Sequence, residues 1–160
     1  MQDYRLEPAR AADAARLAAM SHELIESGLR PAWGPQRIGW YVRHSESVVL
    51  TARSDRTIAG FAIMRYGEEA AHLNLLAVDP AYRRRGIGRR LVTWLEETAL
   101  TAGPYLIGLE LRAQNLEARD FYRALGYREV GRVPGYYQGV EAAIRMERDV
   151  RVSRPAAARS

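Results

Sequence analysis

Residues 83–90 combine the residue types that bind phosphate. Five arginines fall in this stretch, and Gly86 and Gly88 lie where an apolar strand pattern ends and a helical pattern begins. The first turn of a helix leaves backbone N–H groups unpaired beside the positive end of the helix dipole, and a glycine there lets an anion approach closely. The segment therefore predicts a phosphate cradle, with arginine charge suited to a ligand that carries several phosphates.

Spacing separates the known phosphate cradles. A Walker A loop needs lysine, and all 24 basic residues of this chain are arginine. A dinucleotide fingerprint needs a third glycine where the chain has Leu91, and its acidic partner would be Glu110, which sits in mid-strand. The remaining pattern, R-x-x-G-x-G at Arg83, Gly86 and Gly88, resembles the acyl-CoA signature of the GNAT N-acetyltransferases. On this segment alone, an ordinary basic helix N-terminus stays open, whereas nucleic-acid binding is disfavoured because aromatic residues do not interleave the arginines.

The resemblance covers about residues 48–147. L-E-L-R-A-Q-N at 109–115, F-Y-R-A-L-G-Y at 121–127 and G-Y-Y at 135–137 are similar to the ribosomal-protein-alanine N-acetyltransferases and their protein N-terminal relatives. The resemblance implies acetyl-CoA as the acetyl donor. It also implies contacts to acetyl-CoA from a strand end, from the glycine turn and from the next helix cap, namely from Leu76, Ala77, Val78, Arg83, Arg84, Arg85, Gly86, Ile87, Gly88, Arg89 and Asn115.

Glu110 is the candidate base. In a strand over residues 106–112, Glu110 and Arg112 share one face, and a carboxylate in the middle of a central strand is costly to bury unless it is paired or used. One interpretation is a salt bridge to Arg112 or another arginine. The other is removal of a proton from an incoming ammonium, directly or through water, with partial burial raising the pKa of the carboxyl. The resemblance implies this second role.

Tyr122 is the candidate acid. It shares a helical face with Ala118 and Leu125, so a core tyrosine is the alternative. The resemblance implies that its phenol protonates the departing thiolate, and that the amine attacks the thioester directly without a covalent enzyme intermediate. Asn115 is predicted to cap the same helix as well as to touch the cofactor.

The amine-acceptor side is less defined. The resemblance implies peptide contacts from Trp33 on one wall and from Tyr136 and Tyr137 on the other, with loop packing as the alternative. The narrower subfamily often has Glu-Asp-Ala on its last strand, where this chain has Glu-Ala-Ala at 141–143. The three histidines lack metal-ligand spacing, so we interpret them as surface or core residues and predict no metal.

Composition bounds the remaining possibilities. The 160 residues predict one domain over residues 1–150, followed by a disordered tail over 151–160. The absence of cysteine excludes disulfides, thiolate metal sites and a cysteine nucleophile. The net charge of +5 favours an anionic partner. Without an apolar leader or membrane-length apolar run, we expect a cytoplasmic protein with no membrane partner. The sequence makes no prediction about oligomeric state.

Hydrophobic periodicity predicts an α/β (α+β) fold, a mixed sheet with helices on both faces. The resemblance makes it the GNAT fold, with a mostly antiparallel sheet of six to seven strands and four helices. The predicted strands cover about residues 4–6, 48–52, 58–64, 72–78, 106–112, 127–131 and 141–147. The predicted helices cover about residues 11–25, 35–43, 86–102 and 115–125.

Three functional hypotheses follow. The first is an N-acetyltransferase that acts on the N-terminal α-amine of a protein, such as a ribosomal protein. The second keeps the chemistry but uses a small amine, such as an antibiotic or a metabolite. The third is a non-catalytic CoA-binding module that has kept only the phosphate cradle.

Overall fold

The computed structural model describes residues 4–152, which form seven strands and four α-helices. The tail predicted over residues 151–160 lies outside the described residues from 153 onward. The strands are β1 Arg5–Pro8, β2 Ser47–Arg53, β3 Ile58–Tyr66, β4 Ala70–Val78, β5 Leu106–Arg112, β6 Arg128–Tyr137 and β7 Glu141–Asp149. The helices are α1 Ala14–Leu24, α2 Pro35–Arg43, α3 Ile87–Ala102 and α4 Leu116–Ala124.

All seven strands form one sheet in the order β1-β2-β3-β4-β5-β7-β6. Every neighbouring pair is antiparallel except β4 and β5, which run parallel. The predicted mixed, mostly antiparallel sheet with four helices is therefore confirmed. Within residues 4–152, no helix combines the length and apolar character needed to cross a bilayer.

Each face of the sheet has its own apolar core. On one face, the stripe Ile87, Leu91, Leu95 of α3 is completely buried against the sheet, and α4 contributes to the same cluster. On the other face, Leu17 of α1 and Ile38 of α2 are wholly buried in a second cluster. The spacing of four residues in α3 places the three side chains on one side of the helix, which explains why this segment is a helix that lies on the sheet.

The two parallel strands separate near the middle of the sheet. Their pairing covers only Ala70 to His72 of β4 and Leu106 to Gly108 of β5. Beyond this point β4 continues for six residues and β5 for four without pairing to each other. The strand ends therefore diverge and leave a cleft between the two halves of the sheet.

A β-bulge in β4 reverses the alternation of its side chains. Met64 and Ile63 of β3 pair with Leu73 and Leu75, so Asn74 is an extra residue in the ladder. Leu73 packs in the α3 core, whereas Leu75 packs in the α1–α2 core. His72 precedes the bulge and therefore lies on the face opposite to Leu73.

Strand β6 is longer than the sequence predicts. The sequence predicts that this strand ends near residue 131 and that a glycine- and tyrosine-rich loop follows it, but β6 continues to Tyr137. Register shifts after Glu129 and Val133 accommodate the local irregularity. Because β6 is an edge strand, it tolerates Pro134, which cannot donate a ladder hydrogen bond.

Candidate active site

Glu110 lies at the start of the cleft between β4 and β5, on the face opposite the α3 core. Its neighbours Leu109 and Leu111 are buried in that core, so alternation points Glu110 the other way. Its side chain is only 12% exposed. His72 Nε2 lies 2.6 Å from its Oε1, and the Tyr136 hydroxyl donates to the same oxygen at 3.1 Å.

Glu110 forms a salt bridge, as one interpretation of the sequence predicts, but its partner is Arg145 and not Arg112. The guanidinium of Arg145, its direct cross-strand partner on β7, donates from Nε to Glu110 Oε2 at 3.3 Å. Arg112 instead makes two hydrogen bonds to Glu141 and donates to the Ser27 carbonyl at 2.6 Å. Arg112 therefore fixes the segment between α1 and α2 to β7.

The pKa of Glu110 is lowered overall, whereas the sequence, from partial burial alone, predicts a raised pKa. The His72 hydrogen bond is the largest influence and lowers the pKa of Glu110. Burial does raise it, but the His72 charge, the Tyr136 hydrogen bond and the Arg145 charge all oppose that effect. Glu110 is therefore ionised at neutral pH and can accept a hydrogen bond or a proton.

His72 contacts the candidate base, whereas the sequence predicts only a surface or core histidine at this position. A usable signal existed, since residue 72 alternates with the apolar positions 71 and 73 of β4. Residue 72 also pairs with Gly108, two positions before Glu110 and on the same face of the sheet. Only the parallel register, which the sequence does not encode locally, brings the two side chains together.

Tyr122 is buried in the α3 core from α4, so the core-tyrosine interpretation describes its packing. Its ring makes edge contacts with Phe121 at 5.1 Å and Tyr127 at 5.6 Å. Burial, with a smaller influence from Tyr137, raises the pKa of Tyr122 well above its ordinary value. The phenol therefore keeps its proton at neutral pH, which is the state that a proton donor requires.

The predicted phosphate cradle forms the entry to α3. A short 3₁₀ turn over Pro80–Tyr82 leads from β4 to this helix, and Asp79 caps the turn by accepting from Ala81 N at 2.9 Å. Gly86 is the N-cap of α3 with φ of +77°, a conformation that glycine adopts without steric cost. A Cβ on Gly86 would meet no atom within 4 Å, so the backbone here is open to an anion.

Gly88 is constrained by packing. A Cβ at this position would approach the Phe121 ring to 3.2 Å and the Val78 side chain to 3.6 Å. The helix start therefore lies directly against α4 and the end of β4. This close approach brings two predicted cofactor-binding segments, the end of β4 and the start of α3, to one corner of the cleft.

The arginines around the cradle differ in their contacts. Arg83 Nε donates to the Val78 carbonyl at 3.4 Å, and Arg85 donates to the Tyr4 hydroxyl at 3.3 Å. Arg90, which was not a predicted cofactor contact, donates to the Tyr4 carbonyl at 3.0 Å. The start of the described chain is thus tied to the cradle by two arginines.

Asn115 caps α4 as predicted, since its Oδ1 accepts from Ala118 N at 3.0 Å. The cap places the start of α4 immediately after β5 and next to the cleft. Within residues 4–152, no group of three or more histidine or carboxylate side chains is arranged to hold a metal ion.

The predicted acceptor residues lie on two separate segments. Trp33 lies in the α1–α2 connection, where the Arg37 guanidinium stacks 3.9 Å from its ring and Tyr41 packs beside it at 5.0 Å. Tyr136 and Tyr137 form an edge-to-face pair at the end of β6. Tyr136 reaches Glu110, so the structure links this wall directly to the candidate base.

Comparison with known proteins agrees with this arrangement. Residues 15–127 match the acetyltransferase (GNAT) family. The chain belongs to the GNAT family. It is an acetyl-CoA-dependent N-acetyltransferase.

Two relatives of this GNAT enzyme are named as N-acetyltransferases that act on proteins. It is 34% identical to the N-alpha-acetyltransferase RimI of Mycobacterium tuberculosis over 143 residues, which cover 86% of this chain and 87% of the relative. It is 39% identical to the [ribosomal protein bS18]-alanine N-acetyltransferase of Salmonella typhimurium over 100 residues, 61% and 68% of the two chains. An uncharacterized Mycobacterium leprae protein is 35% identical over 79% of this chain, which spans only 35% of that protein's length.

Solved structures share the fold of this GNAT enzyme. The ribosomal-protein-S18-alanine N-acetyltransferase of Escherichia coli superposes with a TM-score of 0.79 at 24% identity, covering 96% of this chain and 97% of the other. Arabidopsis thaliana NAA60, solved in complex with acetyl-CoA, superposes with a TM-score of 0.81 at 19% identity, with coverage of 93% and 99%.

Proposed function

We propose that this enzyme acetylates the N-terminal α-amine of a protein, and that Glu110 and Tyr122 supply its acid–base chemistry. The observation that carries the proposal is an ionised carboxylate at the start of the cleft between β4 and β5, beside Tyr136 on the acceptor side. The two relatives that act on protein N-termini by name support the acceptor class. A cytoplasmic location remains part of the proposal.

The cofactor-binding residues are those of the predicted cradle. The backbone of residues 76–78 at the end of β4 borders the cleft and would bind the pantetheine arm. The first turn of α3, from Gly86 to Arg89, would bind the pyrophosphate through its N–H groups, and Arg83, Arg84 and Arg85 would add positive charge. The open approach at Gly86 supports this assignment.

Acetyl-CoA supplies an acetyl group activated as a thioester. Glu110 orients the incoming neutral amine and accepts the proton that its nitrogen loses, directly or through water, as the C–N bond of the amide forms. Tyr122 holds the proton that the departing sulfur needs when the C–S bond breaks. Because burial raises the pKa of Tyr122, its phenol is protonated at neutral pH and would donate this proton to the sulfur while the C–S bond breaks.

The pH dependence follows from the same groups. Because the pKa of Glu110 is lowered, this carboxylate is already ionised at neutral pH. An N-terminal ammonium has a pKa of about 7.7–8.0, so kcat/KM for a peptide should rise with pH through this region as the acceptor loses its proton.

A panel of acceptors tests the proposal. CoA release is measured with peptides that carry free N-termini, with the same peptides blocked at the N-terminus, and with small amines such as aminoglycosides and polyamines. We expect turnover only of the free peptides. Turnover of small amines with indifference to every peptide would overturn the proposed acceptor class, and binding of CoA without any turnover would favour the non-catalytic hypothesis.

A further inference from the structure

Two carboxylates on the acceptor side of the cleft already form hydrogen bonds to other groups of the protein. Here the acceptor side means the α1–α2 connection, the first turn of α2, Glu110 and the β6–β7 turn. Glu26 is 5% exposed and accepts from Ser21 Oγ at 2.9 Å and from the Ala32 N–H. Glu141 is held by both hydrogen bonds from Arg112. Neither carboxylate is available to neutralise an approaching cation or a neighbouring arginine.

Two arginines on this side have exposed side chains. Arg37 is exposed on the first turn of α2, stacks on Trp33 and donates only to the Ala32 carbonyl, at 3.3 Å. Among the described residues, 4–152, no carboxylate lies within ion-pair distance of Arg37. Arg145 is half-exposed and shares Glu110 with His72 and Tyr136.

Arg37 and Arg145 both act on the Tyr136 hydroxyl. Burial and the charge of Glu110 raise the pKa of Tyr136, and the positive charges of these two arginines oppose that rise. Tyr136 is therefore within electrostatic range of both guanidinium groups, and its hydroxyl contacts Glu110. A chain whose terminal nitrogen reaches Glu110 must pass through this positive potential.

The two walls of this side are held together. Arg30 N donates to Gln138 Oε1 at 3.1 Å, and Gln138 Nε2 donates back to the Arg30 carbonyl at 2.7 Å. This reciprocal pair joins the α1–α2 connection to the β6–β7 turn. Because both loops are fixed before any peptide arrives, little ordering entropy opposes an interaction with the arginines.

We infer that the enzyme prefers protein N-termini with an aspartate or glutamate at the second or third position. Successive residues of an extended peptide advance about 3.3–3.6 Å each, so these side chains pass Tyr136 when the α-amine reaches Glu110. A carboxylate there meets Arg37 and Arg145, while a basic side chain meets like charge. The inference rests on the proposed function and names the acceptor subclass.

Peptides that differ only at position two test this preference. Each begins with alanine, followed by aspartate, asparagine or arginine, and kcat/KM is measured at low and at high salt. We expect the order aspartate, asparagine, arginine, with about 3- to 10-fold between neighbours at low salt, as for partly exposed charge pairs. The differences should shrink at about 0.5 M salt, because screening weakens exposed pairs.

Arg37→Gln should reduce severalfold the ratio of kcat/KM for the aspartate peptide to kcat/KM for the arginine peptide. Arg43→Gln is the matched control, since Arg43 is an exposed arginine in the last turn of the same helix. Equal rates for the three peptides, or an unchanged ratio in Arg37→Gln, would overturn the inference and leave the proposed function standing. If none of the three peptides is acetylated, both the inference and the proposed function are overturned.

Discussion

His72 and Glu110 lie on neighbouring parallel strands with Nε2 and Oε1 only 2.6 Å apart. The contact joins residues 38 positions apart in the chain, at the place where β4 and β5 stop pairing. It is also the largest influence that lowers the pKa of Glu110. The local geometry of the sheet thus sets the ionisation of the candidate base.

Removal of this histidine should raise the pKa of Glu110. In His72→Ala the carboxyl keeps its contacts with Tyr136 and Arg145 but loses its strongest hydrogen bond, so burial has more weight and protonation occurs at higher pH. Carbon-13 NMR titration of the Glu110 carboxyl, identified by its loss in Glu110→Gln, measures the change. His44→Ala serves as the control, because His44 stacks on Trp40 and has no contact with Glu110. An unmoved titration midpoint in His72→Ala would contradict the assignment.

Variants of two neighbouring tyrosines test whether the Tyr122 hydroxyl has a catalytic or a structural role. Tyr127 donates from its buried hydroxyl to Glu96 at 3.0 Å, and its ring packs on Tyr122. Tyr127→Phe should lower the free energy of unfolding by about 1–3 kcal/mol with kcat nearly unchanged, because a buried carboxylate loses a donor. Tyr122→Phe should lower kcat about 100-fold or more with nearly parental stability. Urea unfolding and steady-state kinetics on both variants check this, and the reverse pattern would exclude Tyr122 as the acid.

Gly88 gives a direct test of the phosphate cradle. In Gly88→Glu the new Cβ meets the Phe121 ring, and the added carboxylate lies beside the N–H groups that would bind pyrophosphate. We expect CoA affinity to fall about 100-fold or more by calorimetry. Gly131→Glu adds the same charge on exposed β6, where a Cβ meets nothing within 4 Å, and should bind CoA like the parent. Unaltered CoA affinity in Gly88→Glu would place the phosphates elsewhere.

Features with local signals could be predicted from the sequence. The entry to α3 at Gly86, the cap at Asn115 and the alternation of β5 each depend on a few consecutive residues, and the structure agrees with all three. The order of the elements followed from hydrophobic periodicity and turn signals, and the motif resemblance agreed with it. Strand β6 was predicted too short because its glycines and proline, read alone, are typical of a loop, whereas pairing with β7 extends the strand.

The environment of Glu110 could not be predicted in the same way. Its three partners come from β4, the end of β6 and β7, and each contact depends on strand register over long separations. Burial alone predicts a raised pKa, but these three contacts together reverse the direction. The sequence therefore identifies Glu110 as a candidate base, whereas the direction of its pKa shift depends on the assembled sheet.

The central claim is that Glu110 accepts the proton of the acceptor amine, and kinetics with Glu110→Gln test it most directly. We predict that kcat falls about 10²- to 10⁴-fold, with CoA affinity by calorimetry unchanged. The control variant is Glu97→Gln, at an exposed position of α3, which should keep the parental kcat and CoA affinity. Retention of kcat within about 3-fold in Glu110→Gln, measured on the best peptide substrate, would contradict the account, since loss of an essential base costs far more.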